Sequence, residues 1–246
     1  MKEVKRVFSI IFVLWSFLIF ISAMLLVLPF ILACSPFLPG RKAGDFIFFF
    51  LDIWAIIFCS LCFFRISTKN RKVIQPARAY IYVCNHSSYL DAVAVVRAIP
   101  GSFKPLGKIE MAAVPIFGII YRRVVIMIDR ASKESRAKSV EQLKAELAGG
   151  QSILLFPEGT MNRTDKPLTE FYDGAFRLAI EIQAPILPLV ICNARNLLPR
   201  ANPWSARPGQ ITCVFDEPIE VSHMKIEDLG NLKSQVYNRM QQLIEA

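Results

Sequence analysis

The chain contains two histidines, His86 and His223, and they differ sharply in their surroundings. His86 stands in the run Asn85-His86-Ser87-Ser88-Tyr89-Leu90-Asp91, directly after the apolar stretch 79–84, which reads as a buried strand. An imidazole can take a proton near neutral pH. A carboxylate on its other nitrogen fixes the tautomer and stabilises the cation that forms. On one continuous helix His86 and Asp91 would lie roughly 140° apart, from 3.6 residues per turn. They can meet only if the chain bends between the end of the strand and the start of a helix at Asp91. The same residues also have a plain structural reading, a strand-end histidine and a carboxylate near the positive end of a helix. His223, between Ser222 and Met224, reads as a surface or helix-start residue.

A second cluster, Phe156-Pro157-Glu158-Gly159-Thr160, follows the apolar run 152–156. Pro157 ends that strand, and Gly159 lets backbone come close to a ligand. Strand ends are where ligands and reactive groups collect in α/β sheets, so Glu158 and His86 are expected on one rim. Arg130 closes a third run, Ile126-Met127-Ile128-Asp129-Arg130. From Arg97 to Lys138 there are nine basic residues against three acidic ones, Glu110, Asp129 and Glu134.

These residues need a frame. Beyond Pro76, short apolar runs at 79–84, 124–128, 152–156, 186–191 and 211–215 alternate with helical stretches at 91–99, 132–148 and 173–183. The second helix begins at Ser132 as its cap and ends at Gly149-Gly150. Such alternation predicts an α/β domain with a largely parallel sheet flanked by helices. The segment 195–209 holds four prolines or glycines and reads as a long loop.

Ahead of this domain, residues 7–28 carry no charge, and at ~1.5 Å per residue they reach about the thickness of a bilayer's hydrocarbon core. A second run, 46–64, contains one charge, Asp52. Pro36, Pro39 and Gly40 turn the chain between them. The first run is too long for a signal peptide and has no small-residue cleavage site, so a retained membrane-embedded helical hairpin is expected. The predicted division is a membrane anchor over 1–67 and a catalytic-type domain over 68–246. Lys2, Lys5 and Arg6 before the hairpin, with Arg65, Lys69, Arg71 and Lys72 after it, put both ends on the cytoplasmic side. Asp52 in lipid is expected to face the partner helix or the interface.

Composition agrees with this division. The 246 residues are 54% hydrophobic and carry a net charge of +9, with a mean hydropathy of +0.40. Long apolar runs with excess positive charge suit an anionic membrane or a phosphorylated ligand. No nucleic-acid-binding signature is present, and nucleic acid is excluded as a partner. Of the six cysteines, Cys59 and Cys62 have CxxC spacing, but they lie inside an apolar run without a second pair or histidines. All six read as small buried hydrophobes, with no metal site and no disulfides, in a reducing compartment.

Taken together and in order, the two clusters, NHSSYLD and FPEGT, resemble the glycerolipid acyltransferase family that includes lysophosphatidic acid acyltransferases. Gly107-Lys108-Ile109-Glu110 with the run ending at Arg130 is similar to that family's second block. Asp173-Gly174-Ala175-Phe176 and Ala184-Pro185-Ile186-Leu187-Pro188 are similar to its later steps. The likeness covers roughly residues 80–218. It departs at Met161, where the family often has arginine, and at Tyr172 and Asp173, where lysine is common before the glycine.

The resemblance implies direct acyl transfer from an acyl thioester, acyl-CoA or acyl-carrier protein, to the free hydroxyl of a lysophospholipid such as 1-acylglycerol 3-phosphate, without a further cofactor. His86 would be the base and Asp91 its orienting acid. Arg130 would bind the phosphate, with Lys108 second to it or a partner for the oxyanion. Glu158 would accept from the glycerol portion or hold those cations, with Gly159, Thr160 and Pro188 completing the substrate site. The expected location is a membrane among lipids, the bacterial inner membrane, with the domain facing the cytoplasm. Another acceptor, or a non-catalytic lipid-binding role, is the alternative.

Overall fold

The computed structural model describes residues 2–245. Seven strands form the sheet: β1 (Phe64–Lys69), β2 (Ile81–Cys84), β3 (Phe103–Lys108), β4 (Ile126–Ile128), β5 (Ser152–Leu155), β6 (Ile186–Cys192) and β7 (Gly209–Phe215). Their order is β1-β7-β6-β2-β5-β3-β4. Every neighbouring pair is parallel except β6 and β7. The helices are α1 (Lys2–Cys34), α2 (Gly40–Leu61), α3 (Asp91–Ala98), α4 (Phe117–Val124), α5 (Lys133–Ala148), α6 (Gly174–Ile182), α7 (Ala194–Leu197) and α8 (Leu229–Glu245).

The period-2 alternation of a strand sorts the core into two layers. In and just before β2, Tyr80, Tyr82 and Cys84 face a core shared with α1 to α4. Ile81 and Val83 face the other, shared with α5, α6 and α8. All four residues of β2 are buried, as a central parallel strand covered on both faces requires. The cap expected at Ser132 is present: its hydroxyl accepts from Ser135 N at 3.1 Å, and α5 stops before Gly149.

The apolar N-terminal runs form two antiparallel helices, α1 and α2. A 3-10 turn at Ser35–Phe37 and extended Pro39 join them. Both are long and apolar enough to cross a membrane. They also pack on the sheet. Phe12 and Phe58 meet Phe64 at the start of β1, and Phe48 meets Phe103 at the start of β3. Asp52 pairs with Arg97 on α3, and Asp45 accepts from the Ser102 hydroxyl. The charge in the second apolar run is thus matched by a cation of the α/β domain rather than by the partner helix. Away from the sheet α1 exposes Phe8, Ile11, Leu14, Phe17, Leu18, Leu25, Leu26 and Phe30. An apolar face of that extent is not left to water.

Strands β1 and β3 and helices α4, α7 and α8 go beyond the expected elements, α7 occupying the start of the segment expected as a long loop. The boundary expected at residue 67 falls inside β1, which pairs with β7 from Phe64↔Gly209 through Lys69↔Val214. The sheet therefore begins at Phe64, within the second apolar run.

Candidate active site

Register fixes the site. Val83 in β2 lies opposite Leu155 in β5 and Pro188 in β6. Pro105 in β3 lies opposite Leu154, and Lys108 lies opposite Ile128 in β4. The residues at or just past these strand ends, His86, Glu158, Lys108 and Arg130, accordingly share the C-terminal edge of the sheet.

The chain bends where the sequence required it. After β2 the segment 85–88 is irregular, and α3 starts at Asp91. Asn85 carries the ladder one step further: its Oδ1 accepts from Ile191 N at 2.7 Å, and its Nδ2 donates to Ile191 O at 3.0 Å. The turn brings His86 Nδ1 to 2.9 Å from Asp91 Oδ2. The same oxygen accepts from Ser87 N at 2.7 Å and Ser88 N at 2.8 Å. Asp91 is fully buried, and its Oδ1 has no hydrogen-bond partner among the described residues. A carboxylate held this way accepts from Nδ1–H, leaving Nε2 with a free lone pair. The imidazole is partly exposed and stacks on Phe156, with ring centroids 4.3 Å apart.

Glu158 is 3% exposed, and its bonds differ from those expected. Its Oε1 accepts from His86 N at 2.8 Å. Its Oε2 accepts from Thr169 N at 2.9 Å and the Thr169 hydroxyl at 2.8 Å. Both oxygens bond to the protein, and among the described residues neither bonds to Lys108 or Arg130. Glu158 ties the His86 backbone to the loop after β5. Gly159 makes the turn possible: its φ is +68°, and a Cβ there would come within 2.7 Å of the Tyr172 ring. Thr160 is exposed at the rim.

Pro188 is buried inside β6, level with Val83 and so below the level of His86, and its carbonyl accepts from Asp216 N at 3.0 Å.

Lys108 and Arg130 are exposed. At a strand spacing of about 4.8 Å, β3 and β4 stand roughly 10 and 14 Å from β2 along the edge. Tyr121 anchors the end of β3, its hydroxyl donating to Lys108 O at 2.9 Å. Burial pushes that phenol up to about 12. Gly107 permits this approach, since a Cβ would meet the Tyr121 hydroxyl at 2.0 Å.

Two groups are removed from the chemistry. Burial, and after it the charge of Asp91, pushes the Cys84 thiol well above its ordinary value, so it stays neutral and is no nucleophile. Ser88 is fully buried, its hydroxyl donating to Leu198 O at 2.9 Å. His223, at a left-handed turn, is exposed and far along the chain from this edge. The roles of Asn85, Ser88 and Thr169 were not read from the sequence. The first two stand in the quoted run, while Thr169, in an irregular loop, carried no signal.

A buried acid behind a half-exposed imidazole, at the C-terminal edge of a parallel sheet, defines a site built for proton transfer. The comparisons give it a family. The model of the Acyltransferase family matches residues 65–192, and the chain belongs to that family. It is 31% identical over 172 residues to a 1-acyl-sn-glycerol-3-phosphate acyltransferase of Haemophilus influenzae, covering 69% of this chain and 70% of the relative. An enzyme of the same name from Chlamydomonas reinhardtii is 28% identical over 87% of this chain, which spans 64% of its length. The chain spans 51% of the relative from Cocos nucifera. The crystal structure of the 1-acyl-sn-glycerophosphate acyltransferase PlsC from Thermotoga maritima has the same fold. It superposes with a TM-score of 0.83 over 98% of this chain and 96% of that one, at 20% identity.

Proposed function

We propose that the protein transfers a fatty acyl group from a thioester to the free hydroxyl of 1-acylglycerol 3-phosphate. The observation that carries this reading is the 2.9 Å contact of His86 Nδ1 with Asp91, which leaves Nε2 available at the rim. His86 Nε2 takes the proton of the hydroxyl as its oxygen attacks the thioester carbonyl. The tetrahedral intermediate collapses, the C–S bond breaks, and the thiolate takes the proton from the imidazolium. Asp91 holds the ring throughout and stabilises its charged form. No acyl-enzyme is needed, in keeping with a neutral Cys84 and an occupied Ser88 hydroxyl.

The donor is an acyl-CoA or an acyl-carrier protein, and the acceptor is a membrane lipid. Support for the acceptor comes from the activity for which the relatives are named and from the cations Lys108 and Arg130 on the same edge as His86. The exposed apolar face of α1 supports attachment to lipid. The basic residues that flank the hairpin, together with the bacterial relative, support the cytoplasmic face of an inner membrane. Purified protein given acyl thioester and 1-acylglycerol 3-phosphate releases one thiol per diacyl product. His86→Ala lowers this rate by about 10²–10⁴, the size of general-base catalysis. Wild-type rates in that variant would refute the mechanism.

A further inference from the structure

The rim holds a cation that motif reading does not reach. After α7 the chain runs through residues 198–208, which bond to the segments that follow β2 and β5. Ser88 pins its start through the bond to Leu198 O, and Arg207 N closes its base on Leu197 O at 2.9 Å. From this loop Arg200 points to the loop after β5, where its Nη1 lies 3.4 Å from Met161 O. The next group in the same peptide unit, Asn162 N, donates to His86 O at 2.7 Å. One peptide plane therefore joins the two residues. With about 2.3 Å between its oxygen and nitrogen, Arg200 Nη1 lies no more than about 8.5 Å from the His86 carbonyl.

The guanidinium is half-buried and forms no ion pair among the described residues. Arg78, Arg97 and Arg239, by contrast, each meet a carboxylate within 2.7 Å. Its one hydrogen bond among the described residues is a long one to a neutral carbonyl, so most of its five donors are unpaired among them, and a planar fork of this kind suits phosphate oxygens. Met161 is buried and apolar, so the position after Thr160 brings no charge of its own. Arg130 follows β4, three strands along the edge from β2, whereas Arg200, on the segment after α7, bonds to the loop that follows β5, the strand next to β2. In 1-acylglycerol 3-phosphate four bonds separate the reacting hydroxyl oxygen from phosphorus, about 5 Å when extended. An acceptor whose hydroxyl lies near His86 can therefore bridge the span of at most about 8.5 Å to Arg200 with its phosphate and one hydrogen bond.

We propose that Arg200 binds the acceptor's phosphate beside His86, an inference that rests on the acceptor reading given above. The test uses the full chain at saturating acyl thioester, with initial rates measured against 1-acylglycerol 3-phosphate and against monoacylglycerol, which lacks the phosphate. Arg200→Gln raises KM for the phosphorylated acceptor about tenfold or more, leaves the thioester KM unchanged, and leaves the monoacylglycerol rate within twofold. Arg200→Lys, which keeps the charge, holds KM within a few-fold of wild type. An unchanged KM in Arg200→Gln, equal KM values in the two variants, or equal losses on both acceptors would overturn the assignment. A wild-type protein that acylates monoacylglycerol but not 1-acylglycerol 3-phosphate would instead bring down the acceptor reading, and this inference with it.

Discussion

Along a single edge of the sheet, the end built on β2 and β5 and the end built on β3 and β4 are made differently. At the first, Asp91 Oδ2 accepts three bonds and both oxygens of Glu158 are occupied, with both acids inside the protein. At the second, Lys108 and Arg130 extend into solvent. The contrast follows the physics of the two tasks. Proton transfer depends on angles and tenths of an ångström, which a buried, multiply bonded network holds without reorganisation. Attraction of an anionic head group acts over several ångströms and tolerates mobile side chains in water.

The largest effect short of removing His86 is expected at Glu158. A glutamine side chain in its place would present an NH2 to either His86 N or Thr169 N, both donors, and displace the backbone that carries the imidazole. Glu158→Gln therefore lowers kcat by ~10–100-fold, the scale of a 1 Å misplacement, with the acceptor KM nearly unchanged. A rise in KM at constant kcat would instead give Glu158 a head-group role. Gly159→Ala comes next. Its left-handed φ and the Tyr172 ring make alanine costly by about 1–3 kcal/mol, read as a lowered Cm in urea with unchanged m. An unchanged Cm would mean that the turn relaxes freely and that this end is less rigid than described. Smallest is Lys108→Ala, with a few-fold rise in the KM for the phosphorylated acceptor that fades between low and high salt, as exposed charges are screened. A salt-independent loss would show that the β3 end is as closely built as the β2 end.

The same contrast explains what could be read from the sequence. The strand, bend and helix start around His86 and Asp91 showed how the two could meet, but their roles came from the resemblance of the ordered motifs rather than from local chemistry alone. The order of runs also yielded the parallel sheet and the hairpin. Strand β3 was missed because Pro105 and Gly107 interrupt its pattern. There Pro105 sits level with Leu154, and Gly107 makes room for Tyr121. Strand β1 was hidden by its composition, Phe64 closing an apolar run and Arg65 and Lys69 reading as a basic flank. Glu158 lies on the expected rim, but its bond to Thr169 was not legible, because Thr169 arrives from an irregular loop that no periodicity announces. Pro188 was carried in with its block, and only strand register shows how far below the rim it lies.

The central claim is that His86 and Asp91 work as one unit. The direct test is a double-mutant cycle on the chemical step, measuring single-turnover rates for wild type, His86→Ala, Asp91→Ala and the double variant, with circular dichroism to establish folding. Groups acting as a unit are not additive. The expected result is a double variant no slower than His86→Ala alone, within about twofold. Losses that multiply, so that removing Asp91 slows a protein already lacking the imidazole by the same factor as the intact one, would contradict the account.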